Sequence, residues 1–109
     1  MPMLNFDDYK DRKNLIKKLE TAYGNKDIFK QAILKLLVED EIAVTAFGLY
    51  FGYHKKPMTY KAIADQMIIS QSYVRNLSYK AFKRLTHLSF RERIWDKCGY
   101  DPALVKTKK

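Results

Sequence analysis

The residues with the clearest chemistry are Gln71, Ser72, Tyr73, Arg75 and Asn76, a polar run that leads into a basic one. Carboxamide and guanidinium groups make paired hydrogen bonds to base edges, Asn and Gln with adenine and Arg with guanine. Close behind stand Tyr79, Lys80, Lys83 and Arg84, with Lys55 and Lys56 upstream. Lysine and arginine attract phosphate whatever the base sequence, and a tyrosine hydroxyl can bond it. The first group is therefore the expected base-reading set, and the second the expected phosphate set. Other chemistries have less behind them. His54 and His87 are far apart and not at ligand spacing with Cys98. There is no glycine-rich phosphate loop and no nucleophile with an evident base partner; Ser72 reads as a groove contact. The expectation is a non-enzyme with no cofactor and no metal.

A pair of helices would position these side chains. Pro57 keeps the chain before it out of helix, and Thr59 can cap a helix that carries Ile63, Ala64 and Met67 at helical spacing. Ala64 is small enough to let a second helix cross closely. Ile68 and Ile69 form the turn, and Ser70 caps a second helix over about 71–85. Val74, Leu77, Ala81 and Leu85 make its buried stripe, which leaves the polar residues mainly on its other faces. Two helices joined by so short a turn have the form of a helix-turn-helix, whose second helix lies in the major groove of DNA.

With these residues in view, the stretch from Met58 to Leu85 resembles region four of the bacterial sigma factors, their promoter-reading C-terminal domain. The family pattern, L-T-x-x-E-I-A-x-x-L-G-V-S-x-x-x-V-R-x-x-x-x-x-A-L-x-K-L, is matched at Met58-Thr59, Ile63-Ala64, Met67, Ile69-Ser70, Val74-Arg75, Ala81-Phe82 and Arg84-Leu85. Upstream, Leu49-Tyr50-Phe51-Gly52 is similar to the family's L-R-Y-G, so the resemblance covers roughly Leu36 to Leu88. It implies a DNA-binding transcription regulator with double-stranded DNA as partner. It also implies an alternative, an accessory or phage-type regulator that docks on the β flap of bacterial RNA polymerase and reads little DNA itself. The departures matter too. Ile68 stands where the family has its turn glycine, so either it takes a strained conformation or the turn differs locally. Gln71, Ser72 and Asn76 stand at base-reading positions, and Tyr50 replaces a backbone-facing arginine. They imply a different DNA target or reliance on a protein partner.

The charge distribution agrees with a nucleic-acid partner. The 109 residues carry a net charge of +9. Through Lys56 there are ten Lys/Arg against eight Asp/Glu; from Pro57 onward there are eleven against four. The excess sits with the groove-facing half. The length fits a single domain with a modest core and is too short for a complete sigma factor with its upstream domain. No apolar run approaches membrane-spanning length and no signal-peptide core is present. The lone Cys98 permits no internal disulfide. These features predict a cytoplasmic, nucleoid-associated protein without a membrane partner. Regulators of this type often bind paired half-sites, which makes a homodimer a candidate assembly.

The rest of the chain reads as helix, giving an all-α bundle of about five helices. A first helix is expected over about Phe6 to Tyr23, with Leu15, Leu19, Ala22 and Tyr23 as its stripe and Asp7, Asp8 and Asp11 at its N-terminal dipole. Gly24-Asn25 stops it. A second helix starts with Asp27 as cap and carries Ile28, Phe29, Ala32, Ile33, Leu36 and Leu37. The acidic run Glu39-Asp40-Glu41 separates it from a third with Ile42, Ala46, Phe47 and Tyr50. Residues 1–37 are expected to pack on the core as an extension, 38–88 to form the sigma-like domain, and 89–109 to form a C-terminal helix and basic tail. In that last helix Phe90, Ile94 and Cys98 share a face, and Asp101-Pro102 can start a further short helix.

Overall fold

Six α-helices make up the computed structural model, which describes residues 9–101, with side chains from Arg12 onward. They are α1 (Tyr9–Tyr23), α2 (Lys26–Glu39), α3 (Glu41–Phe51), α4 (Tyr60–Met67), α5 (Gln71–Thr86) and α6 (Leu88–Cys98). No strand occurs among the described residues. The all-α expectation holds, with six helices where about five were expected. The expected Phe6–Asp8 start of the first helix, the Asp7, Asp8 and Asp11 side chains, a helix start at Pro102 and the Lys106–Lys109 tail lie outside the described residues.

Short polar side chains set the helix starts. Thr59 accepts the Ala62 N–H at 3.1 Å and Ser70 accepts the Tyr73 N–H at 3.1 Å, each meeting an otherwise orphaned donor. Asp40 is the only residue between α2 and α3, and its carboxylate accepts the Ala43 N–H. The α2 cap is Asn25, which accepts the Ile28 N–H at 2.9 Å; Asp27, expected in that role, lies in the first turn instead. α3 ends on Gly52 in the left-handed conformation (φ 75°). A Cβ there would lie 2.6 Å from the Lys55 carbonyl oxygen and 2.7 Å from the Pro57 ring, so the position needs glycine on both counts.

α3 is the hub, packed against α5, α2, α1 and α4. It is apolar nearly all round and buries Ala43, Val44, Ala46, Phe47, Leu49, Tyr50 and Phe51, as a helix enclosed by neighbours must. One apolar cluster runs from Leu15 on α1 to Ile94 on α6. Leu37 and Met67 are half-buried against its edge, and three further expected core positions lie outside it. Ala22 is exposed because the buried line of α1 runs through Arg12, Leu15, Ile16, Leu19 and Tyr23. Ile42 is half-exposed at the α2–α3 corner, ahead of the enclosed part of α3. Cys98 is exposed in the last turn of α6, beyond Phe90 and Ile94, which are buried as expected.

The α4–α5 link is tight and strained. Ile68 takes φ 59° and ψ 50°, the left-handed region, and its side chain is 89% exposed. A β-branched residue is disfavoured there because its Cβ crowds the following carbonyl. The exposed side chain offers little packing to offset the strain. Ile68→Gly is therefore expected to raise stability by about 1 kcal/mol, less the unfolded-state entropy that glycine adds. Urea unfolding measures it; a midpoint lowered by the full cost of glycine, about 0.5–1 kcal/mol, would show that the link is not strained.

Candidate nucleic-acid interface

α5 buries Val74, Leu77, Ser78, Ala81 and Leu85. The opposite side of the same helix carries Ser72, Asn76, Tyr79 and Lys83, which follow each other at four-, three- and four-residue steps and form one outward line. All four are exposed. Gln71 and Arg75 fall on one shoulder of this line; Tyr73, Lys80 and Arg84 fall on the other. Four of the five expected base-reading residues thus lie on the outward line or its Gln71–Arg75 shoulder. Tyr73, 46% exposed, is on the far shoulder.

The Arg75 shoulder meets an aromatic wall. Its guanidinium carbon lies 5.5 Å from the Tyr60 ring centroid. Tyr60 stacks almost flat on Tyr50, with centroids 4.1 Å apart and planes 5° from parallel. The Arg12 guanidinium sits 4.4 Å from the Tyr50 centroid, necessarily on the face that Tyr60 leaves open. Tyr50 and Tyr60 are therefore packing residues, and they bring a cation of α1 to the base of the α4–α5 unit. Farther along the outward line, Lys83 Nζ lies 5.6 Å from the Tyr79 centroid, and the Tyr79 ring runs nearly parallel to Phe82.

The expected phosphate set divides. Lys80 Nζ pairs with Asp40 at 2.9 Å, and Arg84 Nη2 pairs with Glu39 at 2.6 Å. Arg84 also lies over the Phe90 ring, 5.3 Å from its centroid. The Arg84 hydrogen bond is the main reason the Glu39 carboxyl titrates below its ordinary range; the Lys80 hydrogen bond does the same for Asp40. These two cations are engaged at the α2–α3 corner, because that shoulder of α5 is laid against it. The pairs are partly solvated, so each contributes at most about 1 kcal/mol. Lys83 remains on the outward line. Lys55 and Lys56 are exposed in the loop ahead of α4. That loop is held to α1 by Lys13 Nζ, which donates to the Gly52 and Lys55 carbonyls at 3.0 and 3.1 Å.

Two residues that matter here were not singled out from the sequence. Arg12 reads as one more cation on a basic helix, and nothing local marks it. Ser78 is four residues after Val74 and three before Ala81, so its spacing alone places it inside the buried stripe. Among the described residues no three His, Cys, Asp or Glu side chains gather as a metal site would require, and no helix is long and apolar enough to cross a membrane. No protein-family model, curated protein or solved structure matches the chain.

Proposed function

We propose that this chain is a non-enzymatic, DNA-binding transcription regulator, with α4 and α5 as a helix-turn-helix and α5 in the major groove of double-stranded DNA. The observation that carries the reading is the outward line of α5. It bears hydrogen-bonding and cationic side chains, stands clear of the core, and follows a capped helix after a three-residue link. Asn76 and Gln71 suit adenine and Arg75 suits guanine, while Ser72 and Tyr73 take adjoining edges. Lys83 and Tyr79 take phosphate, and Lys55 and Lys56 add to the field from the neighbouring loop. Lys80 and Arg84 join the phosphate set only by exchanging a carboxylate for it.

Selection of bound sequences from a random DNA pool tests this reading. Arg75→Ala is expected to relax base choice at one position, at a cost of about 1–3 kcal/mol on the preferred site. Lys83→Ala is expected to weaken all sequences alike and to reduce the salt slope by about 1. Equal binding of every sequence by the parent and both variants, and only at low salt, sinks specific reading.

The engagement of Lys80 and Arg84 favours a second reading, since it takes two cations away from the phosphate set. In that reading the chain docks on the β flap of bacterial RNA polymerase as an accessory regulator. Recovery of polymerase by the tagged chain after nuclease treatment supports docking; a clean negative rejects it.

A further inference from the structure

A cavity of about 280 Å³ opens between the end of α3, the start of α4 and the Arg75 shoulder of α5. Its walls are rings: Tyr50 and Phe51 from α3, Tyr60 from α4 and Tyr79 from α5. Tyr50 and Phe51 meet edge to face, with centroids 5.2 Å apart and planes at 82°, so the walls turn a corner around the space. Besides the tyrosines, its polar residues all come from α5: Arg75, Asn76 and Ser78. Ser78 is only 2% exposed, and its hydroxyl has no hydrogen-bond partner. A serine inside a helix ordinarily bonds the carbonyl one turn back; this one does not. A buried hydroxyl left unmet destabilises the fold relative to alanine at the same place. The cost is accounted for if a ligand atom completes the bond.

From this arrangement we infer that the cavity is a binding site for a small planar aromatic carboxylate. The ring walls favour a flat π-system, through offset or edge contacts. No acidic residue lines the space, and Arg75 is its one cation, so an anionic substituent is preferred over a cationic one. A guanidinium is suited to holding a carboxylate by two parallel bonds. Ser78 donates to a ligand oxygen or accepts from a ring N–H once the ligand displaces the side chains that cover its hydroxyl. Water occupies about 30 Å³ per molecule in the liquid, so the volume takes about nine such units, the scale of one ring or a small fused pair with its carboxylate. The site does not require that the chain bind DNA. One consequence does rest on the function proposed above: a ligand held by Arg75 and Asn76 occupies two base-reading residues, so ligand and DNA compete.

Calorimetric titration of the full chain with benzoate, indole carboxylate and naphthoate, each beside its neutral carboxamide, tests the site. The expected result is saturable binding of at least one carboxylate, with its carboxamide weaker by about tenfold. Ser78→Ala has a two-sided signature. It is expected to weaken that ligand by about tenfold while raising the melting temperature of the ligand-free chain by about 4 °C. Arg75→Ala is expected to remove the preference for carboxylate over carboxamide. Absence of binding into the millimolar range, or binding that neither variant changes, overturns the inference. Binding with these variant effects establishes the site even if no DNA sequence is preferred. DNA affinity that is specific but indifferent to saturating ligand would overturn the competition alone.

Discussion

Tyr23→Ala is expected to cost about 3–5 kcal/mol, a large part of what a domain of this size possesses. Tyr23 is the last residue of α1 and is fully buried. Its ring tilts against Phe29 on α2 at a centroid distance of 5.4 Å. Its hydroxyl donates to the Leu85 carbonyl at 2.7 Å, near the end of α5, where carbonyls lack partners within the helix. Its own carbonyl accepts from Trp95 Nε1 of α6 at 2.8 Å. One residue thus joins α1, α2, α5 and α6. Tyr23→Phe separates the contributions. It keeps the ring and the backbone bond and loses only the hydroxyl, at about 1–2 kcal/mol.

Burial pushes the Tyr23 phenol well above its ordinary titration range, against a smaller opposing pull from Arg91. A folded-state pKa raised above the unfolded value means stability that is complete below about pH 10 and is lost as pH rises beyond it. Tyr53 is shifted the same way, by burial first and the Glu20 carboxylate second, so two phenols contribute. Tyr23→Phe is expected to make alkaline unfolding shallower without abolishing it. Urea midpoints from pH 7 to pH 11 measure both effects. A Tyr23→Phe curve parallel to the parent's over the whole range would show that the phenol is not the titrating group.

Arg12→Met is expected to cost about 2–4 kcal/mol although it keeps most of the side-chain volume. Arg12 is 6% exposed. Its Nη1 donates to the Tyr50 carbonyl at 3.1 Å and the Met58 carbonyl at 2.7 Å, which spans the two ends of the loop between α3 and α4. The Tyr50 carbonyl is in the last turn of α3, where a cation also complements the helix dipole. Methionine supplies neither the donors nor the charge. Lysine is expected to restore only part of the loss, since an ammonium does not reproduce the planar fork that also covers the Tyr50 ring. Thermal denaturation should show a fall of about 10 °C or more for Arg12→Met. The Tyr60 ring resonances should shift as well, because Tyr60 stacks on Tyr50. A fall of only one or two degrees would show that solvent replaces Arg12 at both carbonyls.

Much of the scaffold is legible because the forces involved are local. Thr59 and Ser70 cap their helices through donors three residues away, and Asp40 separates α2 from α3 in the same way. The stripe of Val74, Leu77, Ala81 and Leu85 follows from helical period alone. Ile68 is partly legible. The missing glycine left open either a strained isoleucine or a different turn, and the backbone adopts the strained one. The cations are the least legible residues. Lys80, Lys83 and Arg84 are chemically alike and close together, yet two face the α2–α3 corner and one faces solvent. Their separation depends on how α5 is rotated against α3.

By itself the sequence determined the all-helical character of the described residues, the α4–link–α5 unit with its caps, and the polar character of the outward face of α5. Helical period and capping act within about four residues, so adjacent residue types are enough to specify them. The tertiary structure alone decided that Arg12 joins α3 to α4 across 38 and 46 residues, and that Trp95 closes on Tyr23 across 72. It also decided that Lys80 and Arg84 turn to carboxylates and that Ser78 is buried beside an aromatic cavity. Such pairings arise when the apolar stripes of separate helices are buried together. That burial fixes the rotation of each helix, and with it the partner of every side chain at its edge.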